Sequence, residues 1–355
     1  MCSSCSTNFN AASYPIVLLD DTGARIGDGT ESVALPGYGH TSFVLPDQFP
    51  VTANKRGTVV LGSGAVTFHV NVVSTLLSTL GIRYTPPGTL TTIPSLGMPS
   101  IYVPPFGLPN QGGPPGGTMP HLASGGGWQT TFVLSNVPAV PDPAFFSATP
   151  PSGSAAQATL SFFDDSGNPL TLPLTFPQTG ETATASSVTK TIAPNATLYV
   201  QTSGDVGTAL LTGSAQLTGA NGFAIFRYNP NGQEAVVPIQ TAPRSYTGAS
   251  VLAFDNTNSI ATGIAVSNGS AQAVTVPVVI RDDQGNQIGT STISLAANGH
   301  TSFMLATQYP ATANIRGTLE FAIPGAGTSS AATIGVLGIR SPPQLTFTTL
   351  PALPK

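Results

Sequence analysis

Residues 39–58 read GHTSFVLPDQFPVTANKRGT, and residues 299–318 read GHTSFMLATQYPATANIRGT. Fourteen of these twenty positions are identical, which is far more than chance produces. Self-similarity of this kind is typical of an internal repeat, in which each copy is one structural unit. The pair of segments therefore predicts a tandem array of modules rather than one large domain.

The flanking segments recur in the same order. An Asp-Asp-x-Gly sequence precedes each copy, at Asp20–Gly23 and Asp282–Gly285, and Leu-Gly-Ile-Arg follows each, at Leu80–Arg83 and Leu337–Arg340. A more diverged series lies between them and includes Asp164–Gly167. We therefore expect three modules.

The composition favours short strands joined by tight turns. Gly (39) and Pro (33) together make about a fifth of the chain, and only 7% of residues are charged, against about 25% in an average protein. Candidate elements are short runs that alternate apolar and polar residues, such as Thr159–Phe162. The hydrophobic content of 40% is enough for a core. These features predict an all-β fold of tandem Ig-like, Greek-key β-sandwich modules.

The predicted boundaries give three modules and one linker. They are an incomplete sandwich over 1–94, a Pro/Gly-rich linker over 95–127, and sandwiches over 128–245 and 246–355. The second and third modules open with similar strands, Trp128–Asn136 and Ala261–Asn268. The first thirteen residues contain no such strand, so module one is either truncated or completed by a strand from elsewhere. A missing strand leaves edges that can pair with another chain.

Charge and hydropathy narrow the partners and the compartment. The net charge is −4 and the eleven Lys and Arg are scattered, so no basic surface for nucleic acid is expected. No apolar run reaches the length of a membrane-spanning helix. A secretory signal is not visible either, since Met1 is followed at once by Cys2-Ser3-Ser4-Cys5. A surface based on hydroxyl and amide groups nevertheless favours an extracellular or cell-surface location.

The order of landmarks resembles Ig-like β-sandwich repeats of large secreted or surface proteins of soil bacteria, particularly acidobacteria. The resemblance rests on Gly-His-Thr-Ser-Phe at 299–303, Tyr309-Pro310, Arg316-Gly317-Thr318, Leu337–Arg340 and a terminal Thr-Leu-Pro. It covers nearly the whole chain apart from the first thirteen residues and the predicted linker. It implies an extracellular, non-catalytic module and carries no functional residues across.

No motif for catalysis or for a metal or cofactor stands out. The sequence lacks the Gly-x-Ser-x-Gly elbow of many serine hydrolases. His40 and His300 occupy equivalent repeat positions, whereas the middle module has Ala196 there, which favours a surface or strand-end role. The three Asp-Asp pairs are interpreted as turn caps. Cys2 and Cys5 lack the context of a redox or zinc site and are expected to be incidental or disulfide-linked. The sequence therefore predicts no catalytic residue, no metal ligand, no cofactor and no enzyme activity.

Six residues are weak candidates for ligand binding. An Arg recurs at the end of one strand in each copy and is followed twice by Tyr, so a guanidinium and an aromatic ring could contact a ligand. The alternative is a half-buried Arg that satisfies carbonyl groups. The single Trp is either a carbohydrate platform or part of the core. The candidates are Trp128, Arg83, Tyr84, Arg227, Tyr228 and Arg340.

Three functional classes remain at the level of the sequence. The preferred one is a non-catalytic extracellular structural or adhesive repeat protein. The alternative is an array of carbohydrate-binding modules, and the third is a hydrolase whose site is assembled from distant segments. Expected partners are a polysaccharide or another copy of the chain, bound through the incomplete first module.

Overall fold

The computed structural model describes residues 12–37, 39–62, 79–85, 89–93, 116–137, 153–240, 248–328, 331–343 and 346–355. These residues form antiparallel β-sheets with two helices of one turn each. The prediction of all-β sandwich modules is confirmed. Most of the predicted linker, together with Cys2 and Cys5, lies outside the described residues.

The first module is a small set of strands. Its elements are β1 (Ala12–Asp20), β2 (Arg25–Ile26), β3 (Ser32–Leu35), α1 (Leu45–Gln48), a 3-10 turn (Pro50–Thr52), β4 (Gly57–Leu61), β5 (Gly81–Thr85) and β6 (Thr89–Ile93). β1 pairs with β2, β3 and β4, while β5 and β6 form a separate hairpin.

The middle module is a sandwich of a four-stranded and a six-stranded sheet. Its strands are β7 (Gly116–Ser124), β8 (Trp128–Ser135), β9 (Ala156–Phe163), β10 (Leu172–Phe176), β11 (Glu181–Ala185), β12 (Ser187–Ile192), β13 (Thr197–Thr202), β14 (Leu211–Thr218), β15 (Asn221–Tyr228) and β16 (Gln233–Pro238). The sheet orders are β12-β9-β14-β7 and β11-β10-β13-β8-β15-β16. Phe132 and Phe162 meet between the sheets with ring centroids 5.4 Å apart.

The third module is a sandwich of a five-stranded and a four-stranded sheet. Its elements are β17 (Ala249–Asp255), β18 (Ala261–Asn268), β19 (Val274–Asp282), β20 (Gln287–Leu295), β21 (His300–Met304), α2 (Leu305–Gln308), a 3-10 turn (Pro310–Thr312), β22 (Arg316–Ala322), β23 (Ile334–Ser341), β24 (Thr348–Pro351) and β25 (Leu353–Pro354). The orders are β20-β19-β22-β17-β25 and β21-β18-β23-β24.

The second and third modules share one topology of eight strands. The sheet β12-β9-β14-β7 corresponds strand for strand to β20-β19-β22-β17, and β13-β8-β15-β16 corresponds to β21-β18-β23-β24. The middle module adds the hairpin β10–β11 at one edge, and the third module adds β25. This alignment places Thr197, rather than Ala196, at the position of His300, because both begin the strand paired with a Ser-Asn end. The repeat is thus a repeat of structure as well as of sequence.

The Asn at each Ser-Asn strand end closes a loop with its side-chain amide. Asn136 donates from Nδ2 to the carbonyl oxygens of Ile192 and Ala193, both at 3.1 Å. Asn268 donates to Ala296 at 2.8 Å and to Gln272 at 2.7 Å. An amide that donates to the carbonyl groups of a neighbouring loop explains why both strands are followed by or end in Asn.

The prediction of a linker over 95–127 is wrong for its last part. Gly116–Ser124 form β7, which pairs with β14 along most of its length and belongs to the middle sandwich. Met119 and Leu122 are fully buried in that core. The run of Gly and Pro before Gly116 hid this strand, and the second module therefore begins before Trp128.

The described part of the first module contains no equivalents of β17 and β18. β1 corresponds to β19, β4 to β22, and the hairpin β5–β6 to β23–β24. Without a partner equivalent to β18, residues 40–44 form no strand although they repeat β21 almost identically. The exposed fractions reflect this, because His40 is exposed whereas His300 is 2% exposed. Among the described residues, the repeated segment thus differs in local conformation between the first and third modules.

Candidate functional site at the module junctions

The first Asp of each Asp-Asp-x-Gly sequence caps its own turn. Asp164 Oδ1 accepts the backbone N–H groups of Ser166 and Asn168, at 2.9 and 2.8 Å. Asp20 and Asp282 accept the N–H groups two and four residues ahead in the same way. The interpretation of these residues as turn caps is confirmed, and the second Asp of each pair is left free for other contacts.

Two of these turns dock on the following module. We call each Asp-Asp-x-Gly segment a leading turn, and the turn just before the strand equivalent to β21 a receiving turn. The backbone N–H of His300 donates to the carbonyl of Asp165 at 3.2 Å, and a β-carbon at Gly167 would overlap the carbonyl of Ala297. Only glycine allows this approach, since its φ is also +82°.

The junction between the first and middle modules repeats this contact. The N–H of Thr197 donates to the carbonyl of Asp21 at 3.1 Å. A β-carbon at Gly23, whose φ is +87°, would overlap the carbonyl of Pro194. Both junctions therefore use the same turn-on-turn contact, which we call the turn joint.

A chain of hydrogen bonds lies beside the second turn joint. Asp165 Oδ1 is 2.8 Å from Nδ1 of His300, and Nε2 of His300 is 3.0 Å from Nδ1 of His121. Because a carboxylate can only accept, Nδ1 of His300 carries a proton and donates to Asp165, and one of the two facing imidazole nitrogens donates to the other. Loss of solvent, with a smaller effect of His300, lowers the pKa of His121 to about 3. The hydrogen bond from His300 lowers the pKa of Asp165.

This chain of side chains resembles part of a hydrolytic triad, but its geometry favours a structural role. In a triad the second imidazole nitrogen faces a nucleophile. Here Nε2 of His300 faces another imidazole, and His300 itself is 2% exposed. The arrangement instead fixes the orientation of two modules through a polar contact.

Polar and apolar contacts extend the junction between the middle and third modules. Thr118 Oγ1 lies 3.2 Å from Ser267 Oγ, and Gln216 donates to Asn298 Oδ1 at 2.9 Å. Ala265 and Leu337 of the third module are buried within the same apolar cluster as the core of the middle module. The third module thus contributes residues to the apolar cluster of the middle module while keeping a core of its own, and this contact favours a fixed relative orientation.

The structure brings two of the predicted ligand-binding residues to one buried carboxylate. Glu234 of β16 is 3% exposed and lies 3.1 Å from Nε of Arg83 and 3.0 Å from a terminal nitrogen of Arg227. Arg83 belongs to the first module, so this ion pair joins the first two modules. Arg227 is partly buried and Arg83 is exposed, and both contact a carboxylate rather than the carbonyl groups that the predicted alternative named.

The other four candidates are Trp128, Tyr228, Arg340 and Tyr84, and their contacts differ. Trp128 contacts Tyr228 and Phe347, with ring centroids 4.9 and 5.1 Å apart. Arg340 lies 4.0 Å from Asp255. Tyr84 is 67% exposed. The Trp128 ring thus packs between modules, while a ligand role for Tyr84 and Arg340 stays a prediction.

One groove lies close to these residues. It has a volume of about 350 Å³ and is lined by Leu90, Gln233, Arg340, Thr346 and Phe347, among others. A second groove of about 500 Å³ lies over the hairpin β10–β11 and is lined by Gln129, Thr175 and Thr182, among others. Both are open to solvent along their length.

Comparison with known protein families, with curated proteins and with solved structures finds no match to this chain. Within the described ranges, no group of three or more His, Cys, Asp or Glu side chains is arranged to hold a metal ion. No helix in that part of the chain is long and apolar enough to cross a membrane.

Sequence reasoning missed the residues that form the junctions. His121 lies in the segment predicted as a linker, and Glu234 repeats no landmark. The recurrence of Gly23, Gly167 and Gly285 was visible, but a glycine in a tight turn needs no partner to explain it. These turns also need glycine because another module approaches them closely, and this approach can be seen only in the folded chain.

Proposed function

We propose that this protein is a non-catalytic structural or adhesive array of β-sandwich modules that works outside the cell or at its surface. The observation that carries the proposal is the turn joint, which recurs at both junctions and uses residues that recur in the sequence. A repeated joint sets a repeated orientation, so the array serves as a spacer of defined geometry. The low charge and hydroxyl-rich surface support the extracellular placement.

The contacts of the candidate ligand residues support the same proposal. Arg83 and Arg227 hold Glu234, and Trp128 packs against Phe347 of the next module. These side chains are used for holding modules together. Resemblance to secreted bacterial repeats is part of the proposal and rests on the sequence landmarks alone.

The substitution Gly167→Asn tests the structural proposal. Asn is the residue that tolerates positive φ best, and five of the six non-glycine residues with positive φ in the described structure are Asn. The fold of the turn is kept, while the side chain collides with the receiving turn. Small-angle scattering is expected to show a larger maximum dimension and more flexibility, with unchanged circular dichroism.

The matched control is Gly180→Asn. Gly180 also has a positive φ, +72°, and nothing lies within 4 Å of its β-carbon position. This variant is expected to scatter like the wild-type protein. Identical scattering by Gly167→Asn and wild type would contradict the structural role of the joint.

Binding of a polysaccharide is the second candidate function. The groove beside Arg340 and Phe347 supports it, because a charged and an aromatic side chain line the same concave surface. Retention on cellulose, chitin or xylan, measured for wild type and Arg340→Gln, separates the two functions. If the protein is purely structural, neither the wild type nor Arg340→Gln is retained on the polysaccharide. Retention that is lost in Arg340→Gln would establish the binding function.

A further inference from the structure

The leading turn of the third module is free among the described residues. Asp282–Gly285 has the same internal hydrogen bonds as the two docked turns. Asp283 and Gly285 are exposed, and nothing lies within 4 Å of a β-carbon built at Gly285, although its φ is +86°. The turn therefore has the shape of a docking element without a docked module.

The first module carries the complementary element. Its receiving turn is closed by a hydrogen bond from the N–H of Gly39 to the carbonyl of Pro36, 2.9 Å long. The receiving turn of the third module is closed by the equivalent bond from Gly299 to Ala296, also 2.9 Å long. His40 aligns with His300, which holds Asp165, and His40 is exposed. Phe43 and Val44 beside it are also exposed, at 41% and 61%.

We infer that two copies of this chain associate head to tail, with the leading turn at Asp282–Gly285 of one copy on Gly37, Gly39 and His40 of the next. The backbone N–H of His40 donates to the carbonyl of Asp283, and the imidazole of His40 meets the carboxylate of Asp283. These contacts repeat those of the internal turn joint. The inference rests on the proposed structural function, because it extends the joint that builds the array.

The two ends are complementary to each other and not to themselves. Such a heterologous contact gives a ring or an open chain of copies rather than a symmetric dimer in which the same surface pairs with itself. A contact made by one turn on another is smaller than a standard interface between proteins. We therefore expect a weak contact, with a dissociation constant between about 1 µM and about 1 mM.

Sedimentation of the full chain over this concentration range tests the inference. The average mass of the wild type is expected to rise steadily with concentration beyond that of a dimer. Gly285→Asn and His40→Ala each remove one end and are expected to raise the concentration needed at least about tenfold. Gly327→Asn is the matched control, because Gly327 is exposed, has a φ of +80° and has no atom within 4 Å of its β-carbon position.

Mixing the two end variants gives the sharpest result. Gly285→Asn keeps its receiving turn, and His40→Ala keeps its leading turn, so the mixture is expected to form a dimer that neither variant forms alone. A wild type that stays monomeric up to about 1 mM, or a Gly285→Asn variant that associates like wild type, would overturn the inference. The scattering of Gly167→Asn is independent of these results, so failure of self-association is distinguishable from failure of the structural function.

Discussion

His121 is the residue whose protonation most directly affects the junction of the middle and third modules. Its Nδ1 lies 3.0 Å from Nε2 of His300, and one of these two nitrogens donates to the other. The imidazole has its edge towards Phe226, with ring centroids 5.4 Å apart. A positive charge there has little solvent and no carboxylate in direct contact, since Asp165 contacts His300 instead. The folded protein therefore holds His121 neutral.

The junction is expected to lose stability in acid. The pKa of His121 is about 3 in the folded protein and about 6.5 in the unfolded chain, so only the unfolded chain takes up a proton between these values. The free energy of unfolding is fully present above pH 6.5 and falls towards pH 3, by up to about 1.4 kcal/mol per pH unit. Because part of the ring still reaches solvent, we expect a total loss of about 3 kcal/mol.

Urea unfolding at a series of pH values measures this loss. In His121→Gln the amide keeps a donor for His300 and does not titrate, so most of the acid sensitivity is expected to disappear. The aspartates whose pKa values are also lowered by hydrogen bonds account for what remains, namely Asp20, Asp28, Asp165, Asp255 and Asp282. The control His40→Gln removes an exposed His and is expected to leave the slope unchanged. Equal slopes for wild type and His121→Gln would be incompatible with this assignment.

At the scale of elements, one sequence adopts two conformations. Residues 300–304 form β21 because β18 offers a partner, whereas residues 40–44 in the described first module have none. Strand pairing depends on cross-strand neighbours more than on intrinsic propensity. The same short sequence therefore forms a strand only where a partner strand lies beside it.

Hydrogen exchange tests this dependence on context. The amides of Thr301–Met304 that bond to β18 are expected to exchange at least about a hundredfold more slowly than those of Thr41–Val44, which corresponds to about 3 kcal/mol of opening free energy. Nearly identical sequences make each segment the control for the other. Equal protection of the two segments would mean that the first module is completed by a strand.

The sequence predicts strands well where apolar and polar residues alternate regularly. It predicts them poorly where a strand is stable only because it pairs with a neighbouring strand. The strands around Thr159–Phe162 and Ala261–Asn268 follow from their apolar pattern. β7 does not, because its Gly and Pro residues are strand-poor and its stability comes from pairing with β14 along a buried face. For the candidate site, the sequence indicates individual recurring residues but not the contacts between them. Which of them meet, as Arg83 and Glu234 do, depends on how modules pack.

At the scale of the whole molecule, the junctions make the modules one structure. Phe347 of the third module lies in the core cluster of the middle module, and Gln233 donates to its carbonyl oxygen at 3.0 Å. These contacts across the junction make the stability of one module depend on the other, so the pair is expected to unfold together. In its described residues the first module has two smaller apolar clusters, and it is expected to unfold first; their buried members are Ile16, Leu18, Val33 and Phe49, and Val17, Leu19 and Val60.

Differential scanning calorimetry of the wild type and of Gly167→Asn tests the central claim most directly, which is that the turn joint couples the middle and third modules. We expect the wild type to unfold these two modules in one transition. Loss of the joint in Gly167→Asn is expected to split that transition into two, while Gly180→Asn keeps it single. Two separate transitions already in the wild type, or one unchanged transition in Gly167→Asn, would contradict the account.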